Sequence, residues 1–277
     1  MEMKAFSIYD EQTGASARIA EYGATVISWK VQNHERLFLS TKAHLDGSKA
    51  IRGGIPLVFP VFGKANEGPC AKLPQHGFAR TSYWQIVNKQ GNEATLSLKS
   101  ADLNTEARSA WSSEFELLYT VKVTANQLLT SLQVKNTDSK DFEFQTLLHS
   151  YFRVKNIANV SVEGLDGVTY KDKVSASEIK ETAAQVGITQ ETDRVYPRVQ
   201  GDVTILENGK PSFQVKRKNL EDVVLWNPWT GCSKMADFGP EDGYQQMVCV
   251  EAGAVSRWHT LGAGESFTAS QTVTAML

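Results

Sequence analysis

The stretch "FELLYTVKVTA", residues 115–125, alternates between apolar and polar side chains over most of its length. Alternation with a period of two is typical of a β-strand that buries one face. Comparable segments recur along the chain, and Gly, Asn, Asp and Pro separate them at close intervals. They are "FSIYD", "TVISWKV", "RLFLS", "ATLSLKS", "LLTSLQVKN", "FEFQTLLHSYFRV", "VTILE", "SFQVKR", "MVCVEA" and "FTASQTVTAML". Because strand-helix-strand alternation is absent, the sequence predicts an all-β protein, either an antiparallel sandwich or a barrel.

The size and composition of the chain favour one globular domain that spans residues 1–277. All-β sandwiches and barrels often reach this length without dividing. Hydrophobic residues make up 41% and charged residues 22% of the chain, as in an ordinary soluble protein. The formal net charge of -2 offers no general attraction to nucleic acid or to an anionic membrane. If the protein binds an anion, a few placed cations must therefore do so.

The cysteines indicate a reducing compartment. Cys70, Cys232 and Cys249 are too few and too scattered for a disulfide framework, and no CxxC pair occurs. The N-terminus "MEMKAFSIYDE" has no apolar leader region, and no run approaches the ~18 apolar residues of a membrane span. We therefore expect a cytoplasmic protein with no membrane or nucleic-acid partner.

Two segments depart from the strand pattern. Residues 51–82, "IRGGIPLVFPVFGKANEGPCAKLPQHGFARTS", are rich in Gly and Pro and show little periodicity. They carry too many apolar residues to be disordered, so this long segment is a candidate binding loop. After Ser175, "SASEIKETAAQVG" offers a Ser-x-x-Glu capping box closed by Gly187, which predicts a short helix.

A histidine stands out in "QTLLHSYFRV", residues 145–154, within an extended strand-like segment. Even-numbered positions of this segment form an apolar face and odd-numbered positions a polar one. The apolar face comprises Phe142, Phe144, Leu148, Phe152 and Val154, and the polar face Glu143, Gln145, His149, Tyr151 and Arg153. A lone histidine on such a face is more often structural, but this set of side chains also fits the wall of a polar cleft. The strand pattern alone leaves both interpretations open.

The second candidate is Glu251 in "MVCVEAGAV", which ends an almost wholly apolar strand. A carboxylate among apolar side chains is costly unless it is paired or hydrogen-bonded. Glu251 is therefore either a strand-end residue that reaches solvent or a base whose pKa is set by partial desolvation and a nearby cation.

The candidate binding loop supplies several polar side chains, namely Arg52, Lys64, Lys72, Gln75, His76 and Arg80. Arginine matches the geometry of phosphate oxygens, so Arg52 and Arg80 could form an anion clamp. Gly53 and Gly54 would let the backbone approach a ligand closely. As a bare pattern this signal is weak, because surface arginines are common.

Two further motifs could contact a sugar. Asp193 in "ETDRVY" could accept hydrogen bonds from hydroxyl groups, although loop aspartates more often make Asx turns. Trp226 and Trp229 in "VVLWNPW" could present an apolar ring face, although core packing explains at least one of them better.

Taken together, six motifs resemble a known family in their order and rough spacing. They are "RGGIPLVFPVFG", "LPQHGFAR", "LLHSYFRV", "ETDRVY", "VVLWNPW" and "MVCVEAG". The sequence resembles the glucose-6-phosphate 1-epimerases, a branch of the galactose mutarotase-like superfamily, from about residue 20 to the C-terminus. The resemblance implies a large, twisted antiparallel β-sandwich of the galactose mutarotase type, with the active site in a cleft on the concave face of one sheet.

The resemblance also implies roles for particular residues. The catalytic pair falls on His149 and Glu251, and the substrate-binding residues fall on Arg52, Gln75, Arg80 and Asp193, with His76 near the site. Segments between Tyr170 and Thr192 have little that matches the family.

The implied reaction exchanges the α and β anomers of a hexose 6-phosphate by opening and closing the sugar ring. One base at the anomeric hydroxyl O1, Glu251, and one acid at the ring oxygen O5, His149, suffice, so we expect no metal and no other cofactor. Two alternatives stay open: an aldose 1-epimerase that acts on unphosphorylated hexoses, and a carbohydrate-binding module without catalytic activity. We expect a monomer, because no apolar surface stripe remains once the strands are assigned.

Overall fold

The computed structural model describes residues 3–276. Within this range the chain consists mainly of β-strands, with one short α-helix, α1 (Thr105–Ala110), between two of them. In chain order, the strands of the first half are β1 (Ala5–Tyr9), β2 (Ser16–Ala20), β3 (Val26–Val31), β4 (His34–Glu35), β5 (Leu57–Val58), β6 (Gln85–Gln90), β7 (Glu93–Lys99), β8 (Phe115–Thr124) and β9 (Gln127–Asn136). The remaining strands are β10 (Phe142–Leu148), β11 (Tyr151–Arg153), β12 (Val160–Glu163), β13 (Thr169–Asp172), β14 (Ser177–Lys180), β15 (Gln185–Gly187), β16 (Thr192–Tyr196), β17 (Val203–Glu207), β18 (Lys210–Lys218), β19 (Asp222–Asn227), β20 (Met247–Leu261) and β21 (Ser266–Ala275). Short 3₁₀ turns lie at Ala79–Thr81, Ser100–Asp102, Ile157–Asn159, Trp229–Lys234 and Gly243–Gln246.

The strands form three antiparallel sheets. The smallest has the order β1-β2-β3-β4. The second has the order β14-β13-β16-β19-β20-β10-β5, and β11 also pairs with β20. The third has the order β15-β12-β17-β18-β21-β9-β8-β7-β6. The predicted all-β, antiparallel architecture is therefore confirmed.

The hydrophobic core joins the inner faces of the three sheets. Strand β8 shows the principle, since each buried residue alternates with a partly exposed one, as the sequence pattern predicts. One cluster of buried side chains includes Ile8 from β1, Phe144 from β10 and Phe213 from β18. Burying a side chain of this size stabilises the fold by roughly 1.5–3 kcal/mol. The core therefore packs against the second sheet, and this sheet carries the candidate site.

Strand β20 is the centre of that sheet. It pairs with β19 on one side and with both β10 and β11 on the other. Its first nine residues, from Met247 to Val255, are all buried. A side chain on this part of β20 therefore has protein on both sides of the sheet, and Glu251 lies in the middle of it.

The segment 142–154 is not the single strand that the sequence suggested. Strand β10 ends at Leu148 and β11 begins at Tyr151. Between them the backbone N–H of His149 donates to the carbonyl oxygen of Pro56, in the candidate binding loop. The face of this segment that the sequence predicts to be polar is covered by other parts of the chain. On this face the Gln145 side chain accepts from the Phe62 N–H and donates to the Val255 carbonyl.

The predicted helix after Ser175 is wrong. This segment forms strands β14 and β15, which pair with β13 and β12 respectively. The Asp172 carboxylate accepts the N–H groups of Val174 and Ser175 and so closes a hairpin turn. All four residues of β14 are exposed. Because the segment has no apolar face to bury as a helix, pairing with neighbouring strands satisfies its backbone instead. Conversely, the sequence reasoning missed α1, which Asn104 caps by accepting the Ala107 N–H.

The candidate binding loop is irregular, as predicted. Gly53 and Gly54, however, approach the protein's own backbone and not a ligand. Gly54 has a φ of +67°, and a Cβ added there would lie 2.1 Å from the Val26 carbonyl oxygen. A Cβ on Gly53 would lie 2.5 Å from the Phe38 carbonyl oxygen. These glycines therefore let the loop approach the protein's own backbone, which anchors its first residues to β3 of the first sheet and to the segment at Phe38.

Among residues 3–276, no helix is both long and apolar enough to cross a lipid bilayer.

The replacement Gly54→Ala should lower the free energy of unfolding by about 2–4 kcal/mol, because it adds a backbone clash to an unfavourable φ. The matched control is Gly68→Ala, which also has a positive φ, +76°, but has open space around its Cβ. The control should cost only about 1 kcal/mol. Urea unfolding of both variants measures the difference, and equal losses would contradict the proposed anchoring.

Candidate active site

The register of two neighbouring strands places His149 opposite Glu251. Leu148 pairs with Ala252, and Tyr151 pairs with Cys249. Both pairs have the same register. His149 and Glu251 lie between these pairs on their strands, so they too are opposite each other. Side chains directly opposite each other on antiparallel strands lie within contact distance on one face of the sheet. The two candidate residues therefore meet, although they are far apart in the chain.

The same face extends across two further strands. On β19, Val224 lies opposite Glu251 and Trp226 lies opposite Cys249. On β16, Asp193 lies opposite Trp226. Because side chains of alternate residues point to the same face, these positions form one continuous floor.

A cleft of about 190 Å³ opens above this floor. The candidate binding loop, the turn that follows β13 and the segment before β20 form its walls. Its lining consists of Arg52, Phe62, Gln75, His76, Arg80, His149, Lys173, Asp193, Val224, Trp226, Met235 and Glu251. Every residue to which the sequence analysis assigned a catalytic or substrate-binding role is in this set.

The two residues at the bottom of the cleft are almost completely buried. His149 is 8% exposed and Glu251 is 1% exposed. The His149 Nδ1 atom lies 3.3 Å from Glu251 Oε1. The two atoms lie at an ion-pair distance but do not form a hydrogen bond. Within residues 3–276, neither His149 Nδ1 nor Glu251 Oε2 has a hydrogen-bond partner. Both residues thus present polar atoms that a bound molecule can satisfy.

Burial shifts both residues towards their neutral forms. Burial lowers the pKa of His149 well below its ordinary value, and the positive charges of Arg80 and Arg52 act in the same direction. Burial raises the pKa of Glu251 well above its ordinary value, and Asp193 adds to this effect while Lys173 and Arg80 oppose it. Desolvation therefore outweighs the attraction between the two groups, and the site without a bound molecule favours the neutral imidazole and the neutral carboxyl group.

His76 lies above His149 as a neutral imidazole. Its Nδ1 accepts the N–H of Gly63, and its Nε2 lies 3.3 Å from the Gln75 side-chain nitrogen. Burial lowers the pKa of His76 to about 3, and the cations of Arg80, Lys173 and Arg52 contribute. Because His76 is uncharged, it can contact a bound molecule without adding charge to the cleft.

The two loop arginines differ in how their charges are balanced. Arg52 contacts the Asp237 carboxylate through Nε at 3.3 Å and Nη2 at 3.2 Å, and its Nη1 donates to the Tyr151 hydroxyl. Burial opposes the Arg52 charge, but Tyr151 and Asp237 raise the pKa of its guanidinium above the ordinary value. Arg80 donates only to the Gln75 carbonyl, and within residues 3–276 no carboxylate forms an ion pair with it. Arg80 is therefore the cation more available to an anion.

Lys173 is a lining residue that the sequence reasoning missed. Its Nζ lies 3.2 Å from Asp193 Oδ2 and 5.1 Å from the centre of the Phe62 ring. It follows β13, in a segment that matched no family motif, and a lysine in a turn carries no sequence signal of a site. Asp237 and Tyr151 were likewise not identified as supports of Arg52, because only the folded chain brings them together.

Some of the suggested residues lie elsewhere. Lys64 donates to the carbonyl groups of Ala71 and Leu73, so it closes its own loop. Lys72 is exposed and does not line the cleft. Trp229 packs against Tyr244, whereas Trp226 lines the cleft and meets His149 edge to face at 5.8 Å.

The arrangement suits proton transfer in a shielded site. His149 and Glu251 can exchange protons with a bound molecule at two points, and neutral His76 and cationic Arg80 can orient it. The described residues also include one cluster with the donor atoms for a metal ion, formed by His149, Cys249 and Glu251.

Comparison with known proteins agrees with this geometry. The model of the family "Aldose 1-epimerase" matches residues 6–274. A protein of Cenchrus ciliaris named "Putative glucose-6-phosphate 1-epimerase" is 38% identical over 267 residues, which cover 91% of this chain and 78% of that protein. A protein of Escherichia coli K12 with the same name is 33% identical over 250 residues, which cover 87% of this chain and 80% of that protein.

A solved structure shows the same fold. The crystal structure titled as that of "a putative mutarotase" from Salmonella typhimurium has a TM-score of 0.85 and 31% identity to this chain, covering 99% of this chain and 92% of that one. The large twisted β-sandwich of the galactose mutarotase type is therefore confirmed. The matches of sequence and structure extend over nearly all of the chain, and the chain belongs to the aldose 1-epimerase family.

Proposed function

We propose that the protein is a hexose-6-phosphate 1-epimerase that interconverts the α and β anomers of glucose 6-phosphate. The observation that carries this proposal is the buried contact of 3.3 Å between His149 Nδ1 and Glu251 Oε1, at the floor of a cleft that also contains Arg80. Membership of an epimerase family supplies the type of reaction. The relatives that carry the name glucose-6-phosphate 1-epimerase support the phosphorylated substrate.

The reaction requires one proton acceptor and one proton donor. Glu251 accepts the proton of the anomeric hydroxyl O1 while His149 delivers a proton to the ring oxygen O5, and the C1–O5 bond breaks. The open-chain aldehyde then turns about the C1–C2 bond and presents its other face. Ring closure reverses both transfers, so each residue returns to its starting state and no proton is consumed.

The pair is competent for catalysis when only one of its two members is protonated, either Glu251 as a carboxylic acid or His149 as an imidazolium. That proton lies on Glu251 in the neutral arrangement and on His149 in the charged one, and the two arrangements differ only in which residue holds it. A sugar hydroxyl that donates to Glu251 stabilises the carboxylate, because a hydrogen bond to the charged form favours it. Substrate binding thus creates the charged arrangement that the chemistry needs.

The phosphate group would lie at the arginine side of the cleft. No carboxylate among the described residues pairs with the Arg80 guanidinium, and Arg52 adds charge although Asp237 already balances it. Gln75, His76 and Asp193 would contact the sugar hydroxyls. Binding the phosphate away from the reacting end orients O1 and O5 towards the catalytic pair.

The variants His149→Asn and Glu251→Gln should each lower kcat by about 10²–10⁴-fold, because each removes one of the two proton carriers. Magnetisation-transfer NMR on glucose 6-phosphate measures the exchange, after subtraction of the spontaneous rate. His34→Asn, on the surface, is the matched control and should exchange like the wild type. An active His149→Asn enzyme would disprove the assignment of the acid.

The pH profile of kcat should be bell-shaped with a broad maximum. The pair loses function when it takes up a second proton in acid and when it loses its last proton in alkali. Burial disfavours both of these net-charged states, since it lowers the pKa of His149 and raises that of Glu251. The acid limb of the profile therefore moves to lower pH and the alkaline limb to higher pH. Measuring kcat under saturation avoids the ionisation of free substrate. A narrow profile centred between the ordinary pKa values of Glu and His would contradict this account.

The replacement Arg80→Ala should raise KM for glucose 6-phosphate by about 10–100-fold, because it removes charged hydrogen bonds to the phosphate. KM for glucose, which has no phosphate, should change little. Arg80→Lys keeps the charge but not the planar donors, so it should restore part of the loss. If Arg80→Ala leaves the ratio of the two KM values unchanged, the protein acts on free hexoses instead.

A further inference from the structure

Cys249 is a buried nucleophilic group that the proton-transfer chemistry does not use. It lies two residues before Glu251 on β20, so both side chains share one face of the strand. Its thiol is free and its side chain is fully buried. Tyr151 and Trp226 lie opposite it on the two neighbouring strands. Cys249 therefore lies directly beside the acid/base pair, beneath the residues that line the cleft.

We propose that His149, Cys249 and Glu251 form a binding site for a thiophilic divalent cation, Zn²⁺ above all, and that the bound ion inhibits the enzyme. One donor atom from each residue, a ring nitrogen, a sulfur and a carboxylate oxygen, lies within 4.8 Å of the other two. Donor atoms of a tetrahedral zinc site lie about 3.3–3.8 Å apart, given bond lengths of about 2.0–2.3 Å. Side-chain movements of about 1 Å would therefore bring the three donor atoms to these distances.

Two of the donor residues already have polar atoms without partners. His149 Nδ1 and Glu251 Oε2 are buried and make no hydrogen bond to any residue that the structure describes. A metal ion satisfies such atoms at once, whereas leaving them unpaired is costly. A zinc site that is accessible from a cleft usually has three protein ligands and a fourth position that is open to a small molecule.

The charges also favour a divalent ion of this kind. A thiolate, a carboxylate and a neutral imidazole balance two positive charges, so the buried cluster would carry no net charge. Among the cations that line the described cleft, Arg52 and Lys173 are already paired with Asp237 and Asp193. Arg80 alone opposes the ion without a carboxylate partner, and the soft sulfur ligand selects Zn²⁺ or Cd²⁺ over Mg²⁺ and Ca²⁺.

Inhibition follows because the ion would occupy the atoms that transfer protons. A metal bound to His149 and Glu251 leaves neither residue able to serve O5 or O1, and it fills the floor where the sugar binds. Inhibition should therefore be competitive with the hexose phosphate. This consequence rests on the proposed function, but the binding of the ion does not.

The experiment uses the full chain, freed of metal by a chelator that is then removed. Equilibrium dialysis against ZnCl₂ should show one bound ion per chain, and CdCl₂ should produce the ultraviolet charge-transfer band of a cadmium thiolate. Cys249→Ser should lower the zinc affinity at least about tenfold and abolish the band. Cys232→Ser, which removes another buried thiol, is the matched control and should behave like the wild type.

Cys249→Ala provides a second variant in case the serine hydroxyl disturbs the apolar surroundings, and near-ultraviolet circular dichroism checks the fold of each protein. The proposal is overturned if the wild type binds no zinc, or if both Cys249 variants bind zinc as the wild type does. Zinc that binds through Cys249 without slowing anomer exchange would overturn the inhibitory role. An enzyme inactive on glucose 6-phosphate would contradict the proposed function alone, because dialysis and the cadmium band need no activity.

Discussion

The site depends on the register between β20 and the two strands beside it, β10 and β11. The side-chain period of a strand is two, so a slip of one residue would turn Glu251 away from His149 and move it into the apolar interior. The break between β10 and β11 keeps this register while it redirects the His149 backbone to the Pro56 carbonyl. One backbone arrangement therefore pairs the two residues and joins the sheet to the loop that forms the cleft wall.

Burial gives the pair its chemical properties and also makes it costly. A single unpaired charge at this depth would be strongly disfavoured, which is why the net-neutral states of the pair dominate. The surrounding charges are mostly balanced in the same way, with Arg52 beside Asp237 and Lys173 beside Asp193. Arg80 is the exception that a bound anion can use. The cleft thus combines neutral groups that move protons with one available cation that binds phosphate.

The sequence predicts much of this protein because its strands are long and regular. Alternation identified β8 and β17 nearly to the residue, and the family motifs named all seven catalytic and binding candidates that line the cleft. The failures have physical causes. The capping signal after Ser175 is local, and strand pairing with β12 and β13 overrides it. Lys173 and Asp237 become partners of site residues only through contacts between distant segments, which no local pattern encodes.

The central claim is that the buried pair accelerates anomer exchange of a hexose far more when the cleft also binds a phosphate group on that hexose. Two-dimensional exchange NMR on one sample that contains glucose and glucose 6-phosphate, both labelled with ¹³C at C1, tests it directly. The wild-type enzyme should raise the exchange rate of glucose 6-phosphate far above the spontaneous rate and accelerate that of glucose much less. Equal acceleration of both sugars, or of neither, would contradict the account.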